Sequence, residues 1–295
     1  MSFRLLLPLL LAALPLAALA STPINETRPL DPDGKVEIAN LKGSIQVRTW
    51  DKPQVRITGS LGRGVEKLEI GAGGSELEIK VRYPRQASDA SEPTDLVVDV
   101  PTLASLEIDG VAVGISVIGT AGRSLEIRSV SGDVTVAGAP RKADIESVSG
   151  DLELTLNSGD VEMNSVSGSV RLRGRLDGEI GAETVSGNIT VDSRGERLRQ
   201  VSSSSVSGNS TLKVGLAEGG SIKVESVSGN IKVVTPKTLS ATVNAESFSG
   251  HLRAPGATIE KPRFGPGSSF EHRYGQGNGE IRMETFSGSA ELLLQ

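Results

Sequence analysis

From Val36 onward the chain alternates apolar and polar residues in short runs. Val36-Glu-Ile38, Ile45-Gln-Val47, Val55-Arg-Ile57, Leu77-Glu-Ile79-Lys-Val81 and Val98-Asp-Val100 are examples. Side chains that recur at every second residue belong to strands with one buried face. No stretch beyond the first twenty residues keeps a 3.6-residue period. The pattern therefore predicts a nearly all-β chain.

The alternation is itself repeated. Ser-Val-Ser-Gly-Asp-Val occupies 129–134, and variants recur around Gly150, Gly168, Gly187, Gly208, Gly229, Gly250 and Gly288. The steps between these glycines are 18, 18, 19, 21, 21, 21 and 38 residues, a period that signals stacked repeats. Counted from the glycine, apolar residues fall at −7, −5, −2, +2 and +4; around Gly132 these are Leu125, Ile127, Val130, Val134 and Val136. The same offsets uncover two further copies, at Gly43 and at Val113. The Gly208 copy is the weakest, with Ser203 and Ser210 at two of the five positions. The step of three from −5 to −2 breaks strand parity. It predicts a bend there, an inward valine at −2, and a second bend at the Ser-Gly corner. Each repeat then reads as strand, corner, strand and return. The expected fold is a parallel β-solenoid, a right-handed β-helix of coils about 20 residues long.

The period fails in two places. Residues 48–104 lack the Ser-Gly corner and predict either irregular coils or a β cap. Between Gly250 and Gly288 the spacing nearly doubles, which predicts an insertion at 254–279, either a coil without its motif or a loop projecting sideways. The expected organisation is an export signal at 1–20, a flexible lead-in at 21–35, an N-terminal β region with the first coil at 36–105, and repeats at 106–295. The signal is read from Arg4, the apolar run Leu5–Leu19 and the small residues Ala18 and Ala20. That run is too short for a membrane span. The protein is expected to be exported, to a periplasm or to the cell exterior.

Composition narrows the chemistry. There is no cysteine, so no disulfide staples the fold. The net charge of −5 makes nucleic acid a poor partner. Aromatics are only 3% of residues, few for stacking on sugars. Position −1 is serine in all eight visible copies, so these serines read as a structural ladder at the corner, not as a nucleophile. Position +1 holds Asp133, Asp151, Ser169, Asn188, Asn209, Asn230, His251 and Ser289, which suits Asx turns stacked along the axis. A cation between Asp133 and Asp151 is conceivable, but the oxygen count is low, and no metal or cofactor is expected. Position −4 carries Glu146, Glu183, Glu225, Glu246 and Glu284. This predicts an exposed acidic column, read either as a solvated face or as a binding face for a basic partner. With only His251 and His272, histidine chemistry has little material. The insertion gathers Arg263, Phe264, Phe270, His272, Arg273 and Tyr274, the candidate contacts for a ligand or partner. The bland reading is that its aromatics pin a long loop.

The Ser-Val-Ser-Gly-Asp/Asn copies, with Ile38-Ala-Asn-Leu-Lys-Gly-Ser-Ile-Gln-Val47, resemble a bacterial family of β-strand-repeat proteins known as "putative adhesins". The resemblance spans about 36–294 and implies an exported parallel solenoid, with no catalytic residues to carry over. The expected function is a non-enzymatic, adhesin-like binding or scaffold protein of the cell envelope, with an envelope protein or glycan as partner. The alternatives are a polysaccharide-active β-helix enzyme and a structural protein that self-associates end to end. The last is suggested by the apolar strand 290–294 at the end of the sequence.

Overall fold

The structure, a computed structural model, describes residues 22–84, 91–263 and 265–295. The expected export signal lies outside these residues. Among them every regular element is a strand, and the strands join in one mixed, largely parallel sheet. No described helix is long and apolar enough to cross a membrane.

The repeats stack as rungs, each named by its corner residue. β1 (Thr22–Trp50) holds the Gly43 rung; β2 (Gln54–Leu61), β3 (Lys67–Ile70), β4 (Gly74–Arg82) and β5 (Thr94–Pro101) follow. β4 and β5 pair in parallel with the two halves of that rung, placing Leu77 beside Val36 and Leu96 beside Ile45. β3 lies antiparallel on β4, β2 antiparallel on β5, and the start of β1 antiparallel on β2. The stretch 48–104 thus supplies one more rung and an antiparallel cover over it. Such a cover shields backbone groups that a bare parallel edge would leave open.

Next come β6 (Ser105–Ile118), β7 (Ser124–Ser131), β8 (Val134–Gly138), β9 (Lys142–Ser149), β10 (Leu152–Leu156), β11 (Ser158–Ser167) and β12 (Val170–Arg173). β13 (Leu176–Ser186), β14 (Ile189–Ser207), β15 (Ser210–Ser228) and β16 (Ile231–Thr235) complete the regular series. Every rung pairs in parallel with its neighbours at equivalent offsets. Ile38 meets Ile108, Ile108 meets Ile127, Ile127 meets Ile145, and Ile145 meets Met163. The hidden copies at Gly43 and Val113 take their places in this register. Residues at −7, −5, +2 and +4 form the core; Leu125, Ile127, Val134 and Val136 are all essentially buried.

The inward valine at −2 is corrected. Val130, Val148, Val166, Val185, Val206 and Val227 are about half exposed. Alternation runs unbroken from −7 through −5 to −3, so the inward position belongs to Ser129, Ser147, Ser165, Thr184, Ser205 and Ser226. The bend falls only at the corner. The reason is space: a side-chain atom on Gly229 would lie 3.1 Å from Ser226 Oγ, so only a small residue fits beneath the corner. In the later rungs the inward hydroxyl also bonds the corner backbone, whereas those of Ser129, Ser147, Ser165 and Thr184 are buried without a hydrogen-bond partner among the described residues. Ser205 Oγ donates to the Gly208 carbonyl (3.2 Å) and Ser247 Oγ to that of Gly288 (2.9 Å). The −1 serines are exposed. In the weak Gly208 copy Ser203 Oγ donates to Ser210 Oγ (3.2 Å), so its two polar core positions satisfy each other.

The corner glycine is demanded by stacking. A Cβ on Gly168 would collide with the Gly150 carbonyl, and Gly168 has φ +140°. Val113 escapes by exchange: its side chain turns inward, 1% exposed, and position −3 of its rung is Gly110. A Cβ on Gly110 would lie 3.2 Å from Val113 Cβ.

The chain then leaves sequence order. β17 (Ala241–Ser247) and β18 (Leu252–Arg253) carry the Gly250 rung, followed by β19 (Ser268–Tyr274), β20 (Gly279–Ser287) and β21 (Ala290–Leu294). β20 pairs in parallel with β15 on one side and β17 on the other; β21 likewise lies between β16 and β18. The Gly288 rung is therefore threaded between Gly229 and Gly250. β19 pairs antiparallel along the outer edge of β17. Strand 290–294 is thus paired on one side by β16 along its length and on the other by β18 at Ala290 and Glu291, which corrects the expectation that it ends the stack as a wholly open strand.

Candidate functional site

Because −2 points outward in every rung, parallel register lines these residues up. The order along the stack is Leu41, Val111, Val130, Val148, Val166, Val185, Val206, Val227, Phe286 and Phe248, each 40–57% exposed. At about 4.8 Å per rung the ladder is about 43 Å long. The rings of Phe286 and Phe248 stack with centroids 4.6 Å apart and planes 7° from parallel. Their contact follows from the threaded rung, which puts residue 286 beside residue 248.

The ladder is one bank of a trough. Positions −4 and −2 of each rung flank the inward −3 residue, and their side chains form the two banks. Over the seven rungs from Leu41 to Val206 the trough encloses about 1320 Å³. A second stretch of about 900 Å³ shares Ser204 and Val206 with it and runs on past Val227 to the stacked phenylalanines. Lys67, Glu69, Lys80, Arg82 and Tyr83 close one end. The Tyr83 hydroxyl donates to Asn40 Oδ1 (2.9 Å), fixing that wall. Glu260, Lys261, Pro262 and Gly267–Ser269 of the insertion border the other end.

The facing bank is the expected column at −4. It runs Asp109, Arg128, Glu146, Asn164, Glu183, Ser204, Glu225, Glu284 and Glu246. Arg128 is held by Glu126 and by Glu107 (3.0 Å), with Asp109 at 3.5 Å. Glu225 pairs with Lys223 (2.8 Å), and Glu284 with Arg282. Among the described residues no ion pair is formed by Glu146, Glu183 or Glu246. Two carboxyls behind this bank are shifted. The Lys35 ammonium, and then Arg128, hold Glu107 below the usual range. Burial, and then the charges of Glu183, Asp144 and Asp160, push Glu162 up. Gly181 makes room for Glu162, since a Cβ there would strike its carboxylate.

The other described residues singled out in the sequence lie elsewhere on the stack. Asp133 Oδ1 accepts the Asp151 N–H (3.0 Å) and Asp151 Oδ1 the Ser169 N–H (2.7 Å). Asn188 and Asn209 continue this ladder, each taking the N–H and side-chain amide of the asparagine one rung on. The Asx column therefore stacks as expected, and its oxygens bind backbone. No group of three or more potential metal ligands occurs among the described residues. In the insertion, Phe270 is buried opposite Ala245. His272 meets the edge of Tyr274, centroids 4.6 Å apart, and Tyr274 donates to the Pro255 carbonyl (2.6 Å). These aromatics pin the loop to the stack. Arg263 and Arg273 are exposed, and Phe264 lies outside the described residues.

Sequence reasoning assigned the ladder to the core. The signal that would have found it was parity: −7, −5, −3 is a continuous alternation once a serine is allowed inside.

The trough and its rungs can be set beside known proteins. No curated protein matches this chain. Among solved structures it is similar to a "putative adhesin" from Bacteroides fragilis, with 15% identity, TM-score 0.41, and coverage of 93% of this chain and 98% of that one. It is also similar to a "putative lipid binding protein" from Parabacteroides distasonis, with 11% identity, TM-score 0.45, and coverage of 92% and 97%. A "putative cell adhesion protein" from Clostridium sporogenes has 12% identity and TM-score 0.26, with coverage of 93% and 100%. The Toastrack DUF4097 family model matches residues 28–219, which take in the rungs from Gly43 to Gly208. The chain belongs to the Toastrack DUF4097 family.

Proposed function

We propose that this chain is an exported, non-enzymatic, adhesin-like binding protein of the cell envelope that holds an elongated partner in its trough. Its rungs wind as a right-handed parallel β-solenoid, the hand that parallel crossovers favour. The observation that carries the reading is the exposed ladder from Leu41 to Phe248. Ten apolar side chains in register are more contiguous apolar surface than a soluble chain normally leaves open without use.

The magnitudes favour a long partner. Covering the exposed half of one valine gains about 1 kcal/mol. Association costs about 4–15 kcal/mol in lost freedom. A ligand over two rungs does not recover that cost, whereas one along most of the ladder does.

The test is titration with an uncharged, environment-sensitive apolar probe long enough to lie along most of the ladder, against wild type and a Val148→Ser/Val166→Ser/Val185→Ser variant. Wild type should bind with enhanced fluorescence, and the variant should lose most of it with little change in Tm. An unchanged signal would remove the ladder as the binding surface. Release of sugar ends from a polysaccharide panel would overturn the non-enzymatic reading.

A further inference from the structure

The two banks of the trough differ in kind, and the difference selects the partner. One bank is uniformly apolar. The other carries six carboxylates: Asp109, Glu225 and Glu284 are met by Arg128, Lys223 and Arg282, while Glu146, Glu183 and Glu246 form no ion pair among the described residues. Asp109, Glu146, Glu183 and Glu225 stand on every second rung, about 9.6 Å apart. A ligand lying along the trough therefore meets an apolar stripe on one side and a row of negative charge on the other.

Backbone chemistry decides the form of that ligand. The trough runs across the strands, whose N–H and C=O groups are already bonded to neighbouring rungs. An extended peptide laid along it would find no strand edge to pair with. Its own backbone groups would be desolvated without partners. An α-helix satisfies its backbone internally and offers side chains alone. Two helical turns advance about 10.5 Å, close to the spacing of alternate carboxylates, and about 20 residues span the seven rungs from Leu41 to Val206.

Resting on the trough reading above, we propose that the occupant is a basic amphipathic α-helix of a partner polypeptide. Its apolar face lies on the valine ladder and its Lys or Arg flank faces the −4 carboxylates. An anionic lipid surface would meet the same carboxylates with like charge. So would a second copy of this chain, whose own trough carries the same acidic bank.

The test uses the full chain and a fluorescein-labelled helical peptide of about 20 residues composed of Leu and Lys, with a Leu/Glu counterpart. Anisotropy should show binding of the Leu/Lys peptide only, weakening as salt rises from about 50 to 300 mM. The peptide should gain helical circular dichroism on binding. Glu146→Gln/Glu183→Gln/Glu246→Gln should weaken binding about tenfold at low salt and flatten the salt dependence, and the ladder variant should weaken it at any salt. Glu153→Gln/Glu291→Gln, outside the trough, should change nothing.

Equal binding of the Leu/Glu peptide would overturn the basic-helix proposal. So would indifference to the bank variant, or binding without gain of helix. Sensitivity to the ladder variant in any of these cases would leave the trough reading standing; indifference to it would end both. Ladder-dependent flotation with phosphatidylglycerol-containing vesicles would assign the trough to lipid instead.

Discussion

The Gly110–Val113 exchange offers a direct test of how the rung is built. In the rungs from Gly132 to Gly288 a small hydroxyl at −3 sits beneath a glycine at the corner; here the glycine and the bulk have traded places. Gly110→Ser alone crowds Val113, and Val113→Gly alone empties a buried site. Each should cost about 1–3 kcal/mol. The double variant restores the pattern of the other rungs, so a denaturation cycle should return a favourable coupling of about 1–3 kcal/mol. Additive single costs would disprove the exchange. Glu162 tests the acidic face by pH. Its folded carboxyl titrates above its ordinary 4.5, so the proton favours the fold, and that contribution fades as pH rises through the folded value. Glu162→Gln removes the ionisation. Its Tm should exceed wild type at neutral pH, with the gain vanishing below pH 4.5; no gain at neutral pH would contradict the shift. At this scale the core was legible in the sequence, because period-two alternation names the buried face directly. The −2 position was not, because a valine is read as inward by default and a serine as outward. What decides is the room beneath Gly229, and one residue does not reveal that.

Among the elements, β21 carries the sharpest consequence. In an open last strand, Leu292→Ala would be a mild surface change. Leu292 is fully buried and pairs with Val233 of β16. Leu292→Ala should therefore cost about 2–5 kcal/mol by chemical denaturation. A change within about 0.5 kcal/mol would contradict the burial of Leu292. The threading was not legible in the sequence. A step of 38 residues tells where the motif recurs along the chain, not which rung it docks against, since any two rungs present the same backbone edge. The cover of 48–104 was half legible: its strands were readable by alternation. The β3–β4 hairpin carries its signal in Gly71-Ala-Gly-Gly74, but β2 pairs with β5 across a stretch of more than thirty residues, which no local pattern reports.

For the molecule as a whole, the repeat determined more than its share. A single outward valine would be an unremarkable surface residue. Parallel register multiplies it by ten and aligns the copies, so the candidate site is a property of the stack and of no individual rung. Residues picked for their individuality, such as His272 and Tyr274, lie on the insertion, while the most monotonous position lines the trough. The threaded Gly288 rung adds a temporal order to this surface. A chain emerging from its N-terminus makes the Gly250 rung well before the residues destined to lie beneath it. Until 279–287 arrive, Phe248 has no ring to stack on and the ladder stops at Val227. A chain cut between Tyr274 and Gly279 therefore lacks the strand that brings Phe286 beside Phe248, and with it the aromatic end of the trough.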